Sequence, residues 1–280
     1  MDYFAGVDIG STMTKVVIMG EEEVVISLVR VTTPEQRKLA NKVMEEALEK
    51  ASLSFDEITY VIATGYGRIN VAFADKQITE ISCHARGVAS LIPAVKTIID
   101  IGGQDSKGIK LSGGKVVGFV MNDKCAAGTG RFLEITARAL GVKLEEIGEL
   151  SLTARNPAEI SNTCTVFAEQ EVINKLAGGV PLNDILAGLH QAIASRIASL
   201  VSRLGIEREV MVTGGGAKNV GLVKALESKL DLPVLIPPDP LLTGAIGAAL
   251  LGRDLVKKAK NEGLPVTKRQ RSLEEVKFFA

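Results

Sequence analysis

The sequence predicts an α/β protein built from two similar lobes, because one pattern of strands, glycine turns and helices occurs twice. In the first copy an apolar strand ends at Asp8, a short polar turn follows, and the next strand contains Lys15. The second copy has the same order around Asp100 and Lys107, and each lysine lies seven residues after its aspartate. A duplication of this kind predicts two lobes with a cleft between them.

The first copy begins with a predicted meander and continues with a helix. Residues 3–31 predict two or three strands joined by short turns. A helix is expected at 34–51, because Leu39, Val43 and Leu48 fall on one of its faces. A strand is expected at 58–65, and the span to about residue 92 is mixed.

The second copy predicts strands over 97–122, after which helices dominate. The predicted helices are 131–141, the segment after residue 164, 185–205, 220–230 and 243–260. A strand leads into a third glycine turn within 209–219, and 231–240 predicts a strand and a proline-rich loop. Residues after about 261 are expected to form a surface tail with a short helix. We therefore expect one lobe at 1–92 plus about 243–280 and the other at 93–242.

Composition favours an ordinary globular protein of the cytoplasm. The 280 residues are 46% hydrophobic and 24% charged, enough for one large domain or two lobes. Lys plus Arg equals Asp plus Glu at 33 each, so no global field predicts a nucleic-acid partner. Three cysteines and no recognisable signal peptide favour a reducing cytosol over a disulfide framework. No apolar stretch is long and uninterrupted enough to predict a membrane span.

The turn at residues 8–15, DIGSTMTK, is a candidate phosphate site. Asp8 could orient hydrated magnesium. Glycine, hydroxyl and lysine groups could hold phosphate oxygens, and the candidates are Gly10, Ser11, Thr12, Thr14 and Lys15. The alternative is a plain hairpin turn, and the spacing is not that of a Walker A loop.

The turn at residues 100–107, DIGGQDSK, repeats this chemistry. Asp100 is a second candidate magnesium ligand through water, and Gly102, Gly103 and Gln104 are candidate nucleotide contacts. Gln104 could also orient an attacking water, as glutamine does in other nucleotide hydrolases. The alternative is a structural duplication whose second copy is inert.

The third glycine turn, TGGGAKN at 213–219, lies between a predicted strand and a predicted helix. Adjacent glycines let a ring system approach the backbone closely, so we expect an adenosine-binding shelf. The candidate contacts are Gly214, Gly215, Gly216, Lys218 and Asn219. The alternative is a tight strand–helix turn, and the spacing does not support a dinucleotide fold.

Two cysteines lie in similar settings, each after a polar stretch and before a predicted helix. Cys125 and Cys164 could supply two of the four thiolates of an iron–sulfur cluster, and a second copy of the chain would complete the set. The alternatives are small buried hydrophobes or a zinc site, for which no close Cys-x2-Cys pair is present. Cys83, His84 and His190 are expected to be structural.

The order of the three glycine motifs resembles the phosphate-1, phosphate-2 and adenosine motifs of the actin–hexokinase–heat-shock chaperone ATPase superfamily. The segments NDKCAAGTGRFLE, SNTCTVFAEQEVI, ATGYGR and ADKQITEISCHARG sharpen the match. With them the chain resembles the activator components of 2-hydroxyacyl-CoA dehydratases, in the BadF/BadG/BcrA/BcrD-type ATPase family. The resemblance extends from Gly6 to about Gly252.

The resemblance implies two actin-like (ribonuclease H-like) ATPase lobes, a nucleotide cleft and a homodimer. It implies one oxygen-sensitive [4Fe–4S] cluster at the two-fold axis, bound by Cys125 and Cys164 of each subunit. The implied activity is ATP- and Mg²⁺-dependent delivery of one electron from reduced ferredoxin or flavodoxin to a partner iron–sulfur dehydratase. Asp8, Asp100 and Gln104 would orient metal and water.

Three alternatives remain open at the level of sequence. The same ATPase could serve another reductase, such as an aromatic-CoA reductase or a double-cubane iron–sulfur protein. A small-molecule kinase of the superfamily would leave the cysteine motifs unexplained. A nucleotide-gated scaffold or chaperone-like switch would bind ATP without redox activity.

Overall fold

The computed structural model describes residues 2–123, 125–161, 165–266, 268 and 273, without the side chain of Val166. The chain divides into two compact units. Unit 1 comprises the described residues of Met1–Pro93 and Leu241–Ala280, and unit 2 is formed by those of Ala94–Pro240.

Unit 1 contains one sheet and three helices in the described part of the chain. Its strands are β1 (Tyr3–Ile9), β2 (Met13–Met19), β3 (Val24–Val31), β4 (Ile58–Thr64) and β5 (Lys76–Gln77). Its helices are α1 (Gln36–Ala51), α2 (Glu80–Leu91) and α8 (Thr243–Asn261). The sheet order is β3-β2-β1-β4-β5, with an antiparallel meander β1–β3 and parallel pairing of β1, β4 and β5.

The core of unit 1 lies on both faces of this sheet. Apolar residues of α1, such as Val43 and Met44, pack with Val7 and Ile9 of β1 on one face. On the other face α8 packs against β1 and β4 and also against α2. Strands buried on both faces carry near-continuous apolar runs, and β1 and β2 have this pattern.

Unit 2 repeats the strand arrangement of unit 1. Its strands are β6 (Thr97–Ile101), β7 (Ser106–Ser112), β8 (Lys115–Asn122), β9 (Val210–Thr213) and β10 (Val234–Leu235). The sheet order is β10-β9-β6-β7-β8, again with an antiparallel meander and two parallel pairs. The expected duplication within a two-lobed α/β fold is therefore confirmed by the pairing of the strands.

The helices of unit 2 build a core against one face of its sheet. They are α3 (Gly130–Ala139), α4 (Ile147–Leu152), α5 (Thr165–Ala177), α6 (Leu182–Ser202) and α7 (Val220–Leu230). Leu189, Ile193 and Ile197 of α6 are buried with Ile99 and Ile101 of β6. Leu182–Leu204 is long and apolar enough to cross a membrane, but 67% of its most apolar window is buried inside the protein, as in a core helix.

Several element boundaries differ from those predicted. The mixed span before residue 92 contains α2, whose N-terminus is capped by the hydroxyl of Thr79. The short helix α4 was not predicted, since six residues are too few for a clear helical period. The long helix α6 begins at Leu182, directly after Pro181, whose fixed φ suits a helix start.

Candidate functional site

Asp8 lies near the end of β1, in the middle of the unit 1 sheet. Lys15 on β2 is directly opposite on one side, and Thr64 on β4 is opposite on the other. The Nζ atom of Lys15 donates a hydrogen bond to Asp8 Oδ2 over 3.0 Å. Because the Asp8 carboxylate is buried, this ion pair offsets part of the cost of removing its charge from water.

The β1–β2 turn that follows Asp8 is held by a small hydrogen-bond network. The N–H of Gly10 donates to Met13 O over 3.0 Å, and the Thr32 hydroxyl donates to Gly10 O over 2.9 Å. Thr14 is fully buried, and its hydroxyl lies 2.9 Å from that of Thr32. Ser11 and Thr12 are half-buried at the turn itself. Of the predicted contacts, Thr14 therefore faces the interior.

The carboxylate of Asp8 is enclosed by residues from two further segments of unit 1. Gly65 has φ +81°, and a Cβ there would overlap Asp8 Oδ1. A Cβ at Gly244 would lie 3.0 Å from Asp8 Oδ2 and 3.2 Å from His84 Nε2. His84 is buried, and its Nδ1 lies 2.9 Å from the hydroxyl of Thr243. These close approaches explain why glycine occupies both positions.

Asp100 holds the corresponding position in unit 2. It lies opposite Lys107 on β7 and Thr213 on β9. The Thr213 hydroxyl donates to Asp100 Oδ1 over 2.9 Å, and Lys107 Nζ lies 3.5 Å from Asp100 Oδ2. Lys107 makes its closer ion pair, at 2.5 Å, with Asp105. All four side chains are buried, so Asp105 is a charged member of the site that the sequence motif did not single out.

The β6–β7 turn is bonded directly to the start of α3. The N–H of Gly130 donates to Gly102 O over 2.9 Å, and the N–H of Arg131 donates to Gly103 O over 2.8 Å. Gln104 is exposed next to them in the turn. Gly102, Gly103 and Gln104, which were predicted to contact phosphate or water, therefore lie in one turn. The carbonyls of the two glycines are held by hydrogen bonds from the first two residues of α3.

The third glycine turn connects β9 to α7. Gly214 has φ +81°, residues Gly215–Lys218 form a short 3₁₀ turn, and Asn219 caps α7 by accepting from the N–H of Leu222 over 2.9 Å. Gly215 and Lys218 are exposed. A ligand could therefore approach the turn at Gly215 and Lys218. The side-chain oxygen of Asn219 is already engaged in the helix cap.

Unit 1 contains an equivalent of this third turn. Thr64 ends β4 as Thr213 ends β9, and Gly65 and Gly214 share φ +81°. A Cβ at Gly67 would overlap Ile9 Cγ2, as one at Gly216 would overlap Ile101 Cγ2. The duplication therefore includes the ATGYGR segment, a relation that was not predicted from the sequence because the shared pattern Thr-Gly-x-Gly is too short to stand out.

Cys125 lies in the loop between β8 and α3, before the first turn of the helix. Its thiol is free and partly exposed. The side-chain amide of Asn122 donates to Cys125 O over 2.9 Å and to Ala127 O over 3.1 Å, and Arg196 Nη2 lies 3.5 Å from Cys125 Sγ. Cys164 lies outside the described residues, directly before α5.

Cys83 and His190 are buried, as expected of structural residues. Burial raises the pKa of the Cys83 thiol to about 12, so it stays protonated. Burial lowers the pKa of His190 to about 4, and its Nδ1 lies 2.8 Å from Leu186 O. A cysteine binds metal as the thiolate, so the protonated Cys83 thiol lacks the character of a ligand.

The described residues assemble no group of three or more His, Cys, Asp and Glu side chains that could hold a metal ion. Cys125 nevertheless fits one ligand of an iron–sulfur cluster, because it is a free, partly exposed thiol with an arginine N–H beside its sulfur. One thiol is not a ligand set. The remaining thiolates would have to come from Cys164 and from outside this chain.

A family model and several named proteins match almost the whole chain. The family model of the BadF/BadG/BcrA/BcrD ATPase family matches residues 5–252. The chain is 45% identical over 261 residues to the 2-hydroxyisocaproyl-CoA dehydratase activator of Clostridioides difficile, covering 93% of this chain and 98% of that protein. It is 48% identical over 259 residues to the activator of lactoyl-CoA dehydratase of Anaerotignum propionicum, covering 91% and 99%.

Solved structures agree with this relationship. The activator of 2-hydroxyisocaproyl-CoA dehydratase from Clostridium difficile, with bound ADPNP, matches with a TM-score of 0.88 and 45% identity over 94% of this chain and 99% of that one. A ROK family glucokinase from Streptomyces griseus matches with a TM-score of 0.56 at 16% identity over 90% and 99%, which supports the actin-like ATPase fold alone. By sequence and by structure, the chain belongs to the BadF/BadG/BcrA/BcrD ATPase family.

Proposed function

We propose that this ATPase is the activator of a 2-hydroxyacyl-CoA dehydratase in the cytoplasm. In the proposed activity a homodimer accepts one electron from reduced ferredoxin or flavodoxin and delivers it to the dehydratase, coupled to hydrolysis of ATP. The dehydratase would then remove water from the acyl-CoA. The observation that carries the proposal is the free thiol of Cys125, in a chain whose relatives are named dehydratase activators.

The nucleotide part rests on the turns after Asp8 and Asp100. We propose that the backbone of Gly10–Thr12 and of Gly102–Gln104 binds phosphate oxygens, that Lys15 offsets their charge and that Gly214–Gly216 contacts adenosine. The buried carboxylates of Asp8 and Asp100 would orient hydrated Mg²⁺, and Gln104 would orient the attacking water. Within each unit, the hydrogen-bonded turn and the ion pair between neighbouring strands hold these groups in place, which supports the proposal.

The electron-carrying part rests on Cys125 and Cys164 from each of two subunits. A [4Fe–4S] cluster, when bound, supplies a one-electron carrier held by four thiolates. Asn122 fixes the main chain of the Cys125 loop through two hydrogen bonds, which would keep the sulfur directed at a shared cluster. Because the thiol is partly exposed, a docked protein could approach it closely enough for electron transfer.

We propose that the two parts are coupled within unit 2. The turn at Gly102–Gly103 accepts two hydrogen bonds from the start of α3, and the Cys125 loop leads directly into that helix. If ATP and ADP bind the turn in different geometries, they can bias the position of α3. Differential affinity for two conformations is the means by which a nucleotide shifts such an equilibrium.

The proposal is tested by separating ATP hydrolysis from electron delivery. Cys125→Ala and Cys164→Ala are purified without oxygen and assayed with dithionite-reduced flavodoxin, ATP and a purified 2-hydroxyacyl-CoA dehydratase. We expect both variants to hydrolyse ATP at the rate of the unsubstituted protein and to lose activation of the dehydratase. Activation that survives in both variants would overturn the proposal.

The same assay distinguishes the other functions. An activator of an aromatic-CoA reductase or of a double-cubane protein would reduce that partner and leave the dehydratase inactive. A small-molecule kinase would transfer phosphate to a substrate without electron delivery. A nucleotide-gated scaffold would bind ATP with no redox activity in any arm.

A further inference from the structure

Arg196 is an unusual residue for its position in α6. The neighbouring Ile193 and Ile197 are buried in the core of unit 2, and the helix is otherwise mostly apolar. Since α6 is anchored by these contacts, the Arg196 stem starts from a fixed point in the fold. Arg196 itself is half-buried, so its guanidinium lies at the edge of the core, where it can bond to neighbouring groups.

The loop of Cys125 is shaped around this arginine. Arg196 Nη2 donates to Cys125 Sγ over 3.5 Å. Gly128 has φ +89°, and a Cβ there would lie 3.4–3.6 Å from the Cβ, Cγ and Cδ atoms of Arg196. The arginine stem therefore packs along the glycine backbone while its head reaches the sulfur. Ser106 closes the other side of the loop by donating to Gly128 O.

We propose that Arg196 is a positioning residue for the shared iron–sulfur cluster, whose guanidinium donates to the Cys125 thiolate and thereby raises the reduction potential and slows the loss of iron. The inference rests on the proposed function, because it requires the cluster that Cys125 is proposed to bind. It assigns a role to a residue 71 positions away in sequence from that cysteine.

Electrostatics sets the direction of both effects. An all-thiolate cluster is negatively charged, and reduction adds one more negative charge. A cation next to a ligand sulfur stabilises the reduced state more than the oxidised state, so its removal lowers the potential. An N–H···S hydrogen bond also stabilises the thiolate as a ligand, so its loss favours release of iron.

The test uses anaerobically reconstituted full-length protein. Arg196→Lys keeps the charge. Arg196→Gln removes the charge, and its side chain is two bonds shorter than arginine up to the donor nitrogen, so its N–H is withdrawn from the Cys125 sulfur. Arg203→Met is the control, because exposed Arg203 directly follows the same helix, about 10 Å from Arg196 along the helix axis. For each protein the reduction potential is titrated by electron paramagnetic resonance, and iron release to a chelator is followed by absorbance. Circular dichroism checks the fold.

We expect Arg196→Gln to change the ratio of reduced to oxidised cluster by about tenfold at a given potential, a fall of about 59 mV for one electron. Iron release from Arg196→Gln should be faster than from the unsubstituted protein. The reduction potential of Arg196→Lys should stay near that of the unsubstituted protein. Arg203→Met should match the unsubstituted protein in both potential and iron release. If Arg196→Gln is folded and its reduction potential and iron release are unchanged, the role of Arg196 is overturned and the proposed function is not affected. An unsubstituted protein that takes up no iron would overturn the proposed function, and the role of Arg196 with it.

Discussion

The main-chain N–H of Gly130 donates a hydrogen bond to the carbonyl of Gly102 over 2.9 Å. This bond joins the first residue of α3 to the turn proposed to bind phosphate. Cys125 lies in the loop that leads into the same helix. A change in the Gly102 turn on nucleotide binding would therefore act directly on the segment that carries the cysteine.

Substitution of Gly130 tests this connection. A Cβ at Gly130 would lie 3.1 Å from Gly102 O, so Gly130→Ala forces the helix and the turn apart by a few tenths of an ångström. We expect electron delivery per ATP hydrolysed to fall about tenfold, a loss of ~1.4 kcal/mol of coupling. The ratio is measured from ATPase and dehydratase-activation rates in one reaction mixture.

Gly20→Ala is the control for this substitution, since its Cβ meets no heavy atom within 4 Å in the described part of the chain. It should leave the ratio unchanged. If Gly130→Ala behaves like Gly20→Ala, the turn and the helix are not coupled in the proposed way.

Asp105 is predicted to support Asp100 through Lys107. In Asp105→Asn the lysine loses its partner at 2.5 Å and should move toward Asp100, 3.5 Å away. A carboxylate occupied by lysine is a poorer ligand for hydrated Mg²⁺, so we expect kcat for ATP hydrolysis to fall about tenfold or more. We also expect the Mg²⁺ concentration for half-maximal rate to rise.

Asp239→Asn serves as the matched control, because Asp239 is exposed in the same unit. ATPase rates are measured over a series of Mg²⁺ concentrations for both variants. An Asp105→Asn protein with the Mg²⁺ dependence of the control would show that Asp105 does not act on the metal site.

The contact between α2 and α8 sets a stability prediction for unit 1. A Cβ at Gly247 would overlap the main-chain carbonyl of Cys83 and lie 2.7 Å from the N atom of Gly87. Neither backbone atom can rotate away, so Gly247→Ala should lower the free energy of unfolding by about 3 kcal/mol. Urea denaturation followed by circular dichroism measures the loss, with Gly20→Ala as reference. An unchanged midpoint would contradict the close helix packing.

His190 makes stability dependent on pH. Burial lowers its pKa to about 4 in the folded protein, whereas an unfolded histidine titrates near 6.5. The unfolded chain therefore takes up the proton first, and stability is lost as the pH falls from about 6.5 to about 4. Between pH 7.5 and 5.0 this group should remove ~2 kcal/mol from the free energy of unfolding.

The variant His190→Gln isolates this contribution, because glutamine does not titrate. Urea unfolding of the iron-free protein at the two pH values gives the difference for each chain. We expect the unsubstituted protein to lose ~2 kcal/mol more than the variant. Equal losses in the two proteins would mean that His190 is not buried in its neutral form.

The sequence predicted the parts of this fold that depend on local spacing. Asp8 and Lys15, like Asp100 and Lys107, are seven residues apart, and a tight antiparallel turn makes such residues direct neighbours. Alternating and continuous apolar runs likewise predicted most strands and helices. Their bounds shifted where a proline or a capping hydroxyl decided the helix start.

Contacts between segments that are distant in the chain could not be predicted from the sequence. Asp100 meets Thr213 because β6 and β9 pair in parallel, a register that no local pattern specifies. Arg196 meets Cys125 only through the packing of α6 under the β8–α3 loop. A single arginine within an apolar stretch was the one available signal, and it could not identify the partner.

The sharing of one four-iron cluster by two copies of the chain is the part of the proposal on which the role of Cys125 depends. Protein reconstituted without oxygen is analysed for iron and sulfide per chain, and its mass is measured by native mass spectrometry. We expect a brown dimer with about four irons and four sulfides per pair of chains, and monomeric or colourless protein for Cys125→Ala. An iron-free dimer, or a monomer that holds a full cluster by itself, would show that two chains do not share the cluster.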